Sequence, residues 1–166
     1  MDFLKIVKER RSVRDYRKDI PHRQDIKRIL DAGRWAPSGL NNQPWRFMVI
    51  SDGERKAGLA ALTTCGGIVK KAPVVIAVFF DLKASYHREK DFMAIGACIQ
   101  NMLLQAHASG LGTCWLGEIL NRKKEAQGYL KVKKDLELAA LVAVGYSKKR
   151  LAKGRRRGMK KILITG

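Results

Sequence analysis

Apolar positions follow two periods along the chain. Phe3, Leu4, Ile6 and Val7 form a stripe behind Asp2, which predicts a capped first helix over Phe3 to Arg10. Ser12 to Asp19 is polar and reads as loop. Pro21 opens a second helix with Ile26, Ile29 and Leu30 on one face and Gly33 near its end. Ala36 to Pro44 holds two Pro, one Gly and two Asn, which excludes a regular element. Arg46 to Ser51 reads as a strand ended by Asp52-Gly53, and Glu54 to Leu62 as a helix broken by Gly66-Gly67. Pro73 to Phe80 is continuously apolar and β-branched, the pattern of a strand buried on both faces. Phe92, Ile95, Ile99, Met102, Leu103 and Ala106 keep a 3.6 period, so Asp91 to Ser109 is the longest helix, with Gly110 placed to cap it. A short strand or turn follows at Gly112 to Leu116, then a basic helix around Asn121 to Leu130 and a buried strand over Leu138 to Tyr146. Ile162-Leu163-Ile164 reads as a last short strand.

Helices and strands are mixed, with no internal repeat and no interior linker. The pattern predicts one α+β unit over 1–147 and a separate tail over 148–166.

Composition narrows the class. The 166 residues are 46% apolar and 30% charged, a globular balance able to bury a core. No apolar run nears the roughly 18–20 residues of a membrane span. Cys65, Cys98 and Cys114 are scattered, and so are His22, His87 and His107, so neither a disulfide framework nor a metal site is expected. The start lacks a long apolar region before a small-residue cleavage site, and a reducing cytoplasm is the expected location. Charge is the outlying property: 34 Lys and Arg against 15 Asp and Glu, a net +19. It divides as +4 over 1–33, +3 over 34–120 and +12 over 121–166, and Lys148 to Lys161 holds nine bases and no acid. An excess of this size points to an anionic partner.

Three segments carry candidate chemistry. Arg10-Arg11-Ser12-Val13-Arg14 offers three guanidiniums and a hydroxyl, donors suited to a phosphate. Ala36 to Phe47 packs Ser38, Asn41, Asn42 and Gln43 into a loop pinned by Pro37 and Pro44, suited to the edge of a planar heterocycle. Gly110 to Gly117 has three glycines in eight residues, which allow the backbone to approach a ligand closely. It matches neither the Rossmann nor the P-loop spacing. Cys114 has no base partner in sequence and reads as a structural thiol, and Trp45 as core.

In order and spacing these segments resemble the nitroreductase family of FMN-dependent oxidoreductases. The resemblance rests on Arg10 to Arg14 with Tyr16 and Pro21, Ala36-Pro-Ser-Gly39 with Asn42 to Phe47, Asp91, Gly110 to Gly117, and Val144-Gly145-Tyr146. It spans about residues 3–147. It implies a sandwich whose central, mainly antiparallel sheet is flanked by helices. It also implies a homodimer with FMN at the interface and a C-terminal arm reaching the partner subunit. Arg10, Arg11, Ser12 and Arg14 would hold the phosphate, ribityl chain and pyrimidine edge. Pro37, Ser38, Gly39 and Asn41 would approach the same flavin from the other subunit. Cys114, Trp115, Leu116 and Gly117 would lie by the ring, and Arg156 would complete the phosphate site. Further flavin contacts would fall near Gly66 to Lys71, without a residue-by-residue match.

The implied reaction passes a hydride from NADH or NADPH through flavin N5 to an acceptor such as a nitroaromatic or quinone, in ping-pong fashion. No catalytic side chain and no metal are expected. Two departures stand out: the chain is short, and Lys153 to Gly158 is rich in Gly and Arg where small members have Pro. Alternatives are a nucleic-acid-binding protein using the 148–161 tail, or another flavin reaction such as reductive dehalogenation or flavin destruction.

Overall fold

The computed structural model describes residues 2–164. Its helices are α1 (Phe3–Glu9), α2 (Arg23–Arg34), α3 (Gly53–Ala60), α4 (Gly66–Lys71), α5 (Arg88–Ala108) and α6 (Lys123–Leu130). Its strands are β1 (Trp45–Ile50), β2 (Val74–Asp81), β3 (Gly112–Leu116) and β4 (Leu136–Gly145). The strands form one antiparallel sheet in the order β1-β2-β4-β3.

The two central strands are buried on both faces, which is why β2 is apolar at consecutive positions. Val74, Ile76, Val78 and Phe80 face α2 and α5, where Ile26, Ile29, Ile95, Ile99 and Met102 complete one core layer. Val75, Ala77 and Phe79 face the other way, onto Leu59 of α3, Val69 of α4 and Ala126 and Leu130 of α6. The result is a helix–sheet–helix sandwich, as the family resemblance implies. Gly33 lets α2 approach α5 closely: a Cβ there would sit 2.8 Å from Met102 Cγ.

Two expectations need correction. Gly66-Gly67 does not break structure but opens α4, whose far end is held by buried Lys56: its Nζ donates to the Ala72 and Pro73 carbonyls at 2.7 and 3.2 Å. The predicted α1 forms, and its apolar stripe is largely open, with Phe3 and Leu4 68% and 53% exposed. Ile162 to Ile164 is not a strand: it follows a 3₁₀ turn at Met159–Lys161 and is exposed. A three-residue apolar run has no ladder to join unless a sheet edge lies beside it, and among the described residues of its own chain this one meets none.

β3 is an edge strand, and residues 12–13 cover its free side. Ser12 bridges Thr113, and the Val13 amide donates to the Thr113 carbonyl at 2.8 Å. Gly112 and Gly145 face each other in the β3–β4 register, and the chain crosses above both. A Cβ on Gly112 would collide with Val13, and one on Gly145 would lie 2.9 Å from Tyr16 Cδ1. Tyr16 is buried and donates its hydroxyl to the Val13 carbonyl at 2.7 Å. The arginine-rich segment is thus fastened to β3, which ends at Leu116.

Candidate anion-binding site

The Arg10–Arg14 segment leaves α1 where Asp2 has started it, with the Asp2 carboxylate accepting the Leu4 amide at 3.0 Å. Its guanidiniums meet the tail, which returns across the molecule. Arg11 Nε donates to the Ala152 carbonyl at 3.1 Å, and Nη1 to the carbonyls of Lys8 and Arg10 at 2.6 and 2.7 Å. Arg11 is therefore committed largely to backbone, as a strut between the segment and the tail. Gly154 lies against it, and a Cβ there would overlap the guanidinium.

Two contiguous openings flank this strut. One, about 340 Å³, is lined by Arg10, Arg11, Ser12, Arg14, Leu151, Ala152, Lys153 and Arg156. The other, about 480 Å³, shares Arg10, Arg11, Lys153 and Arg156 and adds Val7, Lys8, Gln100 and Gly154. Among the described residues no acid lines either opening. Among the described residues, none of the cations named here pairs with a carboxylate. Burial and the Arg156 and Arg11 charges push the pKa of Arg10 down from the usual arginine value. Like charges held together without a counter-charge are a standing cost that an anion would relieve.

The strand beside the cluster supplies a different surface. Cys114 and Leu116 are buried, Trp115 is 43% exposed, and nothing lies within 4 Å of a Cβ position on Gly117. Burial pushes the Cys114 thiol up despite Arg14 and Arg10 nearby, which makes it a structural thiol. The start of α4 is tied to the end of β3, because the Thr64 amide donates to Glu118 at 2.8 Å and the Thr63 hydroxyl bonds the same carboxylate.

The Ala36–Pro44 loop stands apart. It winds through a 3₁₀ turn at Gly39–Asn41 with positive φ at Leu40, Asn41 and Gln43, a strained path for non-glycine residues. Side chains hold it there. Ser38 Oγ accepts the Gln43 amide at 3.0 Å, and Asn42 Nδ2 donates to Asp91 Oδ1 at 2.7 Å. Asp91 is fully buried and also accepts from the Ser85 hydroxyl and the Tyr86 and His87 amides. Gln100, beside the arginines, lies nine residues further along α5, or ~13 Å up its axis. Within one chain, then, Pro37, Ser38, Gly39 and Asn41 form a second surface. Arg10, Arg11, Ser12, Arg14 and Arg156 come together, and of the 114–117 stretch Cys114 lies within reach of the Arg14 and Arg10 charges.

Lys8, Gln100 and Lys153 were not singled out by sequence reasoning. Lys153 stands in the basic run, and Lys8 is one helical turn before Arg11. Gln100 carries no sequence signal, because only the packing of α5 brings it to the opening. Among the described residues no group of three or more His, Cys, Asp or Glu is placed to hold a metal, and no helix is long and apolar enough to cross a membrane.

The model of the nitroreductase family matches residues 7–66 and 62–146. A protein of Archaeoglobus fulgidus named as a candidate NADH dehydrogenase/NAD(P)H nitroreductase is 33% identical over 150 residues, 89% of this chain and 86% of that one. The iodotyrosine deiodinase of Thermotoga neapolitana is 26% identical over 85% of this chain and 86% of its own. The crystal structure of a candidate nitroreductase from Desulfovibrio desulfuricans, in complex with FMN, superposes with a TM-score of 0.95 at 42% identity, covering 100% of this chain and 97% of that one.

Proposed function

The chain belongs to the nitroreductase family, and on that footing we propose that it is an FMN-dependent oxidoreductase that takes a hydride from NADH or NADPH and reduces a nitroaromatic or quinone. The observation that carries the reading is the cluster of Arg10, Arg11 and Arg156 beside Ser12 and Arg14, with no acid on its wall among the described residues. Those donors fit a phosphate, and the free side of Gly117 fits a flat ring.

Each residue then has a physical task. Arg10 and Arg156 hold the phosphate, Ser12 adds a hydroxyl donor, and Arg14 faces the ribityl chain and the pyrimidine edge. Arg11 fixes the arm that carries Arg156. Cys114, Trp115, Leu116 and Gly117 present backbone to the ring. Flavin, when bound, accepts the hydride at N5 and passes the electrons on, so the chain needs no nucleophile of its own. The cations stabilise negative charge gathering at the pyrimidine edge. A hydride donor and an acceptor that used this one site in turn would give ping-pong kinetics.

The flavin site is completed in a homodimer. Phe3, Trp35, Leu40 and Met93 are exposed, and Phe3, Ile6, Trp35 and Leu104 line an apolar groove between α1, α2 and α5. The strained Pro37–Asn41 surface, separate from the arginines in its own chain, serves the partner's flavin. Residues 148–164 are exposed throughout and form an arm on the 1–147 body that reaches the partner. Reductive dehalogenation is the second reading, supported by the Thermotoga relative.

The test is direct. Purified protein should be yellow, and NADH or NADPH should bleach its flavin absorbance without oxygen. A colourless protein that takes up no FMN overturns the reading.

A further inference from the structure

The two openings around Arg11 hold more positive charge than one phosphate uses. A phosphate monoester of about −2 is matched by two guanidiniums with a hydroxyl. The opening beside Ser12 and Arg14 supplies these from Arg10, Arg156 and Ser12. The second opening continues away from β3, up α1 and along α5. There Lys8 and Lys153 stand on its wall, with no carboxylate partner among the described residues, and Gln100 adds a neutral amide. Its 480 Å³ exceeds what one phosphate fills. Gly154 brings the arm's backbone against this wall, since any side chain at that position would strike Arg11.

We propose that Lys8, Gln100 and Lys153 form a second phosphoryl subsite, continuous with the first and taking a phosphate beyond that of FMN. The proposal rests on the flavin reading above. Two ligands carry such a group. In FAD it is the second phosphate of the pyrophosphate, joined to the first and directed along the same groove. In NADPH it is the 2′-phosphate. Lys8 is the discriminating residue, because it lines only the second opening.

The experiment starts from the FMN-loaded enzyme. Holoenzyme is equilibrated with excess FAD near 0.15 M salt, and the bound flavins are separated and counted. In parallel, KM is measured for NADPH and NADH. Wild type, Lys8→Ala, Lys8→Arg and Lys153→Ala are compared, with thermal melts as the check on folding. If FAD occupies the subsite, Lys8→Ala lowers the bound FAD-to-FMN ratio about tenfold and Lys8→Arg restores it. If the 2′-phosphate occupies it, that ratio is unmoved and the KM ratio of NADPH to NADH rises about tenfold in Lys8→Ala. Both ratios within twofold of wild type in Lys8→Ala and Lys153→Ala would overturn the subsite. A protein holding no FMN at the outset would instead fail the flavin reading.

Discussion

Arg11 Nε donates to the carbonyl oxygen of Ala152 across 3.1 Å, joining positions 141 residues apart. This contact, with the Gly154 backbone against the same guanidinium, sets where the basic arm lies and so where Arg156 stands. Arg11→Ala removes three hydrogen bonds to carbonyls. The expected result is faster proteolysis within 148–158 and a weaker hold on FMN, with a loss of roughly 1–3 kcal/mol in melts. Unchanged cleavage and flavin content in Arg11→Ala would show that the arm is held elsewhere.

The Val13–Gly112 contact fixes the same segment from below. A Cβ on Gly112 would lie 2.8 Å from Val13 Cβ, and the colliding atoms belong to a β-branched side chain fastened on both sides. Gly112→Ala is expected to cost about 1–3 kcal/mol in urea unfolding. Pairing it with Val13→Ala should recover part of that cost, since the two changes share one space. Strictly additive costs would mean that the collision is relieved by backbone movement instead.

Much of this fold is legible in the sequence because its signals are local. The apolar run of β2 and the 3.6 period of α5 report burial directly, and Pro37 and Pro44 bracket a loop that is indeed irregular. The Arg10–Arg14 cluster is legible too, because its donors are contiguous. What escapes is set by long-range packing. Nothing near Gly66 announces that a buried Lys56 will close a helix there, and nothing near Gln100 that the tail will pass it. The apolar stripe of α1 has the right period, but its surroundings leave it open. Sequence periodicity shows that a face is apolar and not what covers it.

The loop on Asp91 gives a separable prediction. Its carboxylate is buried, which alone would raise its pKa, yet bonds from Asn42, Ser85 and the His87 and Tyr86 amides outweigh this and hold it below the usual range. Asp91→Ala leaves those donors unsatisfied and releases a strained turn, at about 3–5 kcal/mol. If the Pro37–Asn41 surface serves the partner's flavin, a mixed dimer of Asp91→Ala and Arg10→Ala chains keeps at most one intact flavin site. Its flavin content should then be about half of wild type. Full occupancy would place both sets of residues outside flavin binding.

Charge repulsion among Arg10, Arg11 and Arg156 makes the flavin-free protein sensitive to anions. Phosphate or sulfate is expected to raise its Tm by several degrees over chloride at matched ionic strength, through binding to the folded state. Double substitution of Arg10 and Arg14 by Ala should abolish that difference and release flavin. Equal Tm values in the three salts would mean that the arginines are already neutralised.

Acid stability is expected to turn on Glu137, near the start of β4. Arg88 Nη2 meets its Oε1 at 2.7 Å and Nη1 its Oε2 at 2.8 Å, while Lys123 Nζ bonds the first oxygen as well. The Arg88 hydrogen bonds, opposed by burial and helped by Lys123, hold the carboxyl down at about 2. Because the folded value lies below the unfolded one, the unfolded chain binds the extra proton between them. The stabilisation is therefore complete above about pH 4.5 and is lost as pH falls through the window down to about 2. With half-exposed Arg88 screened by solvent, its size is ~1–2 kcal/mol. Glu137→Gln should accordingly lower stability at pH 7 and flatten the dependence between pH 4.5 and 2, as read from urea midpoints at each pH. Parallel curves for Glu137→Gln and wild type across that window would show that other carboxylates govern acid unfolding.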